Sequence, residues 1–256
     1  MVHFVGAGTG ATDLITVRGQ RLIENADVII YAGSLINTDL LNAAKPECKL
    51  YDSAKMTLKE IIDVIRGAED KNMDIVRLHT GEPSIYGAVR EQMDELDKAG
   101  IDYDSCPGVS AAFGAASSLN IEYTLPGITQ TLIITRIEGR TEVPKLEKLE
   151  ALAAHHTSMA IYLSSGMMDK VQEALLKGGL SPDTPAAIVY KATWDDEKIL
   201  SCHVGDLSDT GREAGIDRLA VILVGEALEH SSYDRSRLYS EDFSTGYRDC
   251  SEKVPG

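Results

Sequence analysis

Three segments of the chain share one order: a short apolar run, a glycine-bearing turn, then a helix-like pattern. Residues 2–5 (VHFV) run into GAGTGA at 6–11, residues 74–79 (DIVRLH) into TGEP at 80–83, and residues 101–106 into PGVSA at 107–111. A short apolar run bounded by glycine reads as a buried strand, and glycine permits the tight turn that lets a helix begin at once. Helix starts carry unpaired N–H groups and a positive dipole end, which suit carboxylate or ribose oxygens. Three such junctions bring three turns to the carboxyl edge of one sheet, where open α/β sheets bind ligands.

The rest of the chain continues the alternation. Helices are predicted over about 14–26, from the Thr57/Glu60 capping-box spacing to about Asp70, over about Ser84–Lys98, and from near Pro107. A second strand is predicted at 27–31. A second half begins near Ile121, with strands at about 130–137, 158–164, 186–191, 198–204 and 218–225 and helices at about 145–155 and 167–178. The last two strands can pair antiparallel. The fold class is α/β, with a largely parallel sheet in the first half. With 256 residues, one large domain or two are expected; the segment Asn120–Pro126 is the candidate linker. The division is 1–120, 121–230 and a polar tail over 231–256.

The formal net charge of −15 argues against nucleic-acid binding, which needs a basic face. Any anion site must be built from local arginine, lysine and backbone N–H groups. No apolar run is long enough for a membrane helix, and no basic-then-apolar leader opens the chain, so a cytoplasmic protein is expected. Cys48, Cys106, Cys202 and Cys250 show no paired spacing, and no His/Cys cluster has metal-ligand spacing.

Taken alone, GAGTGA matches the dinucleotide fingerprint G-x-G-x-x-G/A. That fingerprint wants an acidic residue at the end of the second strand. Here that strand ends in Tyr31-Ala32-Gly33, and Asp27 begins it, at the wrong end. A nicotinamide site is therefore disfavoured, and the plainer alternative is a tight turn that needs glycine for positive φ.

The order GAGTGATDLITVRG, GEPSIYGA, PGVSA resembles the tetrapyrrole methyltransferase superfamily over about residues 1–228. The stretch LPGITQTLIITRIEGRTEVP at 125–144 is similar to its precorrin-4 C11-methyltransferase branch. The resemblance implies a two-domain fold, each domain a sheet flanked by helices, with S-adenosylmethionine (SAM) in a cleft between them. It implies a homodimer, and a tetrapyrrole substrate of the cobalamin pathway, precorrin-4 or cobalt-precorrin-4. It also implies cofactor contacts at Thr9, Gly81, Glu82, Ile85, Ser110, Ala111, Leu163, Ala192 and Ala220. Relatives commonly have proline where this chain has Thr9, and read G-D-P at Gly81-Glu82-Pro83 and G-P-G-D at Gly8-Thr9-Gly10-Ala11. Two other readings stay open. One is a methyltransferase for another macrocycle position or for uroporphyrinogen III, precorrin-2 or precorrin-3. The other is a non-catalytic SAM- or corrinoid-binding protein.

Methyl transfer from a sulfonium mainly needs alignment, worth effective molarities of ~10⁵–10⁸ M. No Ser-His-Asp or Cys-His constellation is needed. Gly8, Gly10, Arg18, Tyr86, Arg90, Arg136 and Arg140 are the candidate substrate contacts, since guanidinium forks bind carboxylates bidentately. Ordinary surface ion pairs are the alternative for these arginines. His79 is the candidate base, against the alternative of a strand-end core histidine.

Overall fold

The structure, a computed structural model, describes residues 1–229, 233–241 and 243–249. The first sheet contains β1 (Val2–Gly6), β2 (Val28–Tyr31), β3 (Lys49–Asp52), β4 (Ile75–His79) and β5 (Tyr103–Cys106). Its order is β3-β2-β4-β1-β5, and all its pairings are parallel. Side chains alternate between two buried faces, which is why the central strands read as continuous apolar runs. Val5, Ile29, Val76 and Leu78 cluster with Ile15, Ile23 and Leu40, under α1 (Val17–Asn25) and the 3-10 turn Thr38–Ala43. Phe4, Val28, Ile30 and Ile75 cluster on the other face with Ile61, Ile62, Ile65 and Leu96, from α2 (Leu58–Glu69) and α3 (Arg90–Ala99).

The second sheet contains β6 (Leu132–Arg136), β7 (Ser158–Tyr162), β8 (Pro185–Tyr190), β9 (Lys198–His203) and β10 (Ala220–Val224), in the order β6-β7-β10-β8-β9. β6 and β7 are parallel; the other neighbours are antiparallel. The carboxyl ends of β6, β7 and β8 therefore share an edge with the start of β10. Leu149, Val171, Leu175 and Leu207, from α5 (Leu149–Ala153), α6 (Met168–Lys177) and α7 (Leu207–Glu213), pack on Met159, Ile161, Ile188, Ile222 and Val224 of one face. The opposite face is covered by α4 (Ala111–Leu119), whose Ala112, Ala115 and Ala116 cluster with Ala160, Ala187, Val189, Val221 and Leu223. In sequence α4 belongs to the first half, yet its buried stripe belongs to the second sheet. Alanine at three- and four-residue spacing lets the helix axis lie close to the strands.

The Thr57 capping box forms as expected: the Glu60 carboxylate accepts from the Thr57 amide at 2.7 Å, and the Glu60 amide donates to Thr57 Oγ1 at 3.3 Å. Four expectations are corrected. The helix predicted over 14–26 is a 3-10 turn at Thr12–Leu14 followed by α1, which Thr16 caps. The helix predicted from Ser84 starts only at Arg90, because Tyr86 and Ala88 adopt φ of 56° and 48°. α4 starts after Ser110 rather than near Pro107. The strands at 198–203 and 220–224 do not pair with each other, because β8 lies between them. β3, a short edge strand with exposed Lys49 and Leu50, is absent from the sequence expectation. In the tail, the Asp234 amide donates to Pro126 O at 3.0 Å, and Arg237–Tyr239 make a 3-10 turn. Residues 230–232, 242 and 250–256, Cys250 among them, lie outside the described residues.

Candidate active site

The three glycine turns meet at the carboxyl edge of the first sheet, and glycine is needed there because backbone meets backbone. A Cβ on Gly6 would lie 2.6 Å from Gly108 Cα and from Gly81 O, and one on Gly108 would lie 2.1 Å from Gly81 O. Gly8 and Gly81 form a two-way bridge: Gly81 N to Gly8 O at 3.0 Å and Gly8 N to Gly81 O at 3.3 Å. Glu82 adds a side-chain tie, accepting from Ser84 N at 2.9 Å and from Gly108 N at 2.8 Å. Burial of the Glu82 carboxyl favours its neutral form, but those amide donors outweigh it and hold the pKa below the ordinary value. The result is a rigid platform that sets Gly81 against the start of α4, its added Cβ 3.7 Å from Ser110 Cα and 3.9 Å from Ala111 N.

The edge of the second sheet is brought against this platform. Tyr162, at the end of β7, accepts from Ala112 N at 2.7 Å and shares a 2.8 Å hydrogen bond with Ser110 Oγ. Its ring lies 5.8 Å from that of Tyr86. After β8, Thr193 Oγ1 is 2.6 Å from Thr9 Oγ1 and accepts from Ala11 N at 3.1 Å. Trp194 Nε1 donates to Thr9 O at 3.1 Å. The backbone is strained along the same seam. Of nine non-glycine residues with positive φ among the described residues, six sit there: Tyr86, Ala88, Leu163, Lys191, Thr193 and Leu219. Such conformations persist only where the surroundings impose them, and they cluster at functional sites. Leu14, Leu35, Tyr86 and Leu163, on turns at these edges, leave apolar surface exposed.

The expected cofactor contacts fall into one neighbourhood. Gly81, Ser110 and Ala111 are adjacent; Leu163 follows Tyr162; Ala192 is buried after β8; Ala220 pairs with Tyr190 at the start of β10. Ile85 is half-buried in the turn after Pro83. The expected substrate contacts divide. Arg18 and Arg140 are exposed and have no ion-pair partner among the described residues. Arg136 donates to Ile137 O, Thr141 O and Glu142 O at 2.9–3.2 Å, so it shapes the 137–142 loop. Arg90 is held on α3 by Asp94 and Asp97, each at 2.8 Å, with Tyr103 3.4 Å away. Gly8 is bound to Gly81, and Gly10 is covered by an indole: its Cβ would lie 2.0 Å from Trp194 Cδ1. The Trp194 ring at Gly10 and the Asp94 and Asp97 carboxylates at Arg90 are partners that a substrate contact at either residue would have to share or displace.

His79 closes β4 beside Phe4, with its Nε2 buried and unpartnered. Burial, with the charge of nearby Arg77, pushes its pKa down to about 3. Arg77 is itself buried, donating to Gln92 Oε1 at 2.9 Å and Ile30 O at 3.2 Å. Its burial and lowered basicity favour the strand-end core histidine over the base, the two alternatives that the sequence offered. Asp27 sits at the opposite edge of the sheet, bound to Lys45 Nζ at 3.0 Å and Asp74 N at 2.9 Å, out of reach of a ribose at the turns.

Sequence reasoning missed Tyr162, Thr193, Trp194 and Glu197 as site residues. Tyr162 was legible only as the residue before Leu163. Nothing local marks the other three, because their partners Thr9, Gly10 and Ser118 lie far away in sequence.

These features define a two-lobed α/β protein whose candidate site is the seam between two sheet edges. A family model, Tetrapyrrole (Corrin/Porphyrin) Methylases, matches residues 1–208, and the chain belongs to that family. It is 50% identical, over 98% of its length and 97% of the relative's, to the cobalt-precorrin-4 C(11)-methyltransferase of Methanocaldococcus jannaschii. The X-ray structure of a cobalamin biosynthetic enzyme, cobalt precorrin-4 methyltransferase, is 45% identical and superposes with a TM-score of 0.87, over 89% of this chain and 95% of that one. The uroporphyrin-III C-methyltransferase of Thermus thermophilus complexed with S-adenosyl homocysteine shares the fold at 22% identity, with a TM-score of 0.74 and coverage of 89% and 93%.

Proposed function

We propose that this chain transfers a methyl group from SAM to C-11 of cobalt-precorrin-4 or precorrin-4, giving the corresponding precorrin-5, in the cytoplasm and as a homodimer. The observation that carries the assignment is full-length similarity at 50% identity to a cobalt-precorrin-4 C(11)-methyltransferase, together with the 125–144 stretch. SAM, when bound, supplies an electrophilic methyl on a good leaving group. The seam fits such a cofactor on its own terms. Gly81, Ala111 and Ala192 keep side chains small there, the α4 start offers donors, and the strained Leu163 turn presents backbone groups.

The chain's residues then do three things. Gly81, Ser110, Ala111, Leu163, Ala192 and Ala220 hold the cofactor. Leu14, Leu35 and Tyr86 cover an apolar face of the macrocycle and exclude water. Arg18 and Arg140 take peripheral carboxylates, while Arg136 holds the loop that carries Arg140. Burial raises the pKa of both the Tyr86 and Tyr162 hydroxyls, so each stays protonated near neutrality. The site thus works by alignment: the enamine-like carbon takes the methyl, the sulfonium leaves as the neutral thioether, and the iminium N–H so formed on the macrocycle gives its proton to water. Incubation with SAM and either cobalt-precorrin-4 or its metal-free counterpart, read by mass spectrometry and carbon NMR of a labelled methyl, tests this. One added methyl at C-11 is expected. A methyl at another position, or none with either substrate, would overturn the proposal.

A further inference from the structure

Trp194 is the only tryptophan of the chain, and neither proposed binding task uses it. It stands in the turn after β8 and reaches across to the first lobe. Its Nε1–H donates to Thr9 O at 3.1 Å, and its ring fills the space a Gly10 side chain would need, Cδ1 at 2.0 Å and Nε1 at 2.4 Å from that Cβ. The Thr9–Gly10 segment is gripped from its other sides as well. Asn37 Nδ2 donates to Gly10 O at 3.0 Å, and the Thr9 methyl lies against Gly114 of α4, 2.6 Å from where a Cβ would be. The turn bearing Trp194 is itself anchored to the same helix. The Glu197 carboxylate accepts from Thr193 N at 2.5 Å and from Ser118 Oγ at 2.7 Å.

We infer that Trp194 is a positioning residue, which seats the Thr9–Gly10 turn against the second lobe and so sets the separation across which the methyl group moves. This rests on the proposed function. The physical case is one of stiffness. Apart from α4, which packs on the second sheet, the contacts described between the two sheets' edges run through turns, the softest parts of an α/β fold, yet an in-line displacement tolerates little misplacement; about 1 Å costs on the order of 10²-fold in rate. A planar indole wedged on a glycine, with its one donor on the neighbouring carbonyl, removes both sliding and separation at that point. Gly10 is then retained for the indole, and the absence of a side chain there serves lobe closure.

The test is a double-mutant cycle read in kcat per folded molecule, with both substrates saturating. Trp194→Ala is expected to lower kcat at least about 10-fold while the dissociation constant of S-adenosylhomocysteine moves less than about threefold. Gly10→Ala is expected to be comparably slow in the wild-type background and to add nothing in the Trp194→Ala background, since the clash is gone. Trp194→Phe, which keeps a ring but loses the donor, is expected to lie between. A Trp194→Ala enzyme with wild-type kcat, or effects of the two substitutions that simply multiply, would overturn the inference. Amide exchange over residues 8–11 tests the same contact without turnover: about 10-fold faster exchange in Trp194→Ala is expected, and unchanged exchange refutes it. Wild-type turnover, assayed alongside, tests the proposed function separately.

Discussion

Four arginines were expected to meet substrate carboxylates, and their surroundings separate them. Arg90 already has two carboxylates and Arg136 three backbone carbonyls, whereas Arg18 and Arg140 keep open guanidiniums. On a chain of net charge −15, an exposed guanidinium without an ion-pair partner among the described residues is the local exception that an anionic substrate needs. Arg140→Ala is expected to raise the tetrapyrrole KM about 10-fold, equivalent to ~1.4 kcal/mol, with the affinity for S-adenosylhomocysteine unchanged within about twofold. Titration calorimetry and steady-state kinetics read the two separately, and equal changes in both would count against the role. Arg90→Ala is expected to leave KM alone. In both cases residue type was visible in sequence, while the partner that decides availability was not.

Among the elements, the turns after β1, β4 and β5 form one wall of the candidate site, and Glu82 joins the last two. Its folded-state pKa is depressed, so the stabilisation it brings is complete above its ordinary value of 4.5 and is lost as pH falls through the lower folded value. Glu82→Gln is expected to cost ~1 kcal/mol at pH 7, a modest figure because the carboxylate is partly solvated. The gap between wild type and variant is expected to narrow in urea titrations below about pH 4. A gap that is constant with pH would mean that the ionised form is not what Gly108 and Ser84 recognise. The same turns explain the misplaced helix starts. Ser84–Val89 leads directly into the helical pattern of α3, but Tyr86 and Ala88 are held at positive φ.

Across the molecule, α4 decides how the halves relate. It ends the first half in sequence and covers a face of the second sheet in space, beside the Tyr162 and Trp194 contacts. The two halves therefore share a core. A fragment of residues 121–256 leaves Ala160, Ala187, Val189, Val221 and Leu223 without α4, and is expected to be aggregation-prone or to bind a hydrophobic dye. Adding the fragment 1–120 is expected to abolish the dye binding. A well-folded, dye-silent 121–256 fragment would show instead that the boundary near residue 120 separates independent units.

Periodicity and turn composition were enough for the α/β class, for most strands, for the Thr57 cap and for the three glycine turns, because strand alternation, capping and positive φ are decided within a few residues. The order of the motifs carried the family. What Gly6, Gly10 and Gly108 are for was settled only by the tertiary structure. Each gives way to a group distant in sequence: Gly6 to the Gly108 and Gly81 backbone, Gly108 to Gly81 O, Gly10 to Trp194. The same holds for the neutral, buried state of His79 and for the ownership of α4. Burial, desolvation and close contact depend on which elements meet across the fold, and no local stretch of sequence contains that information.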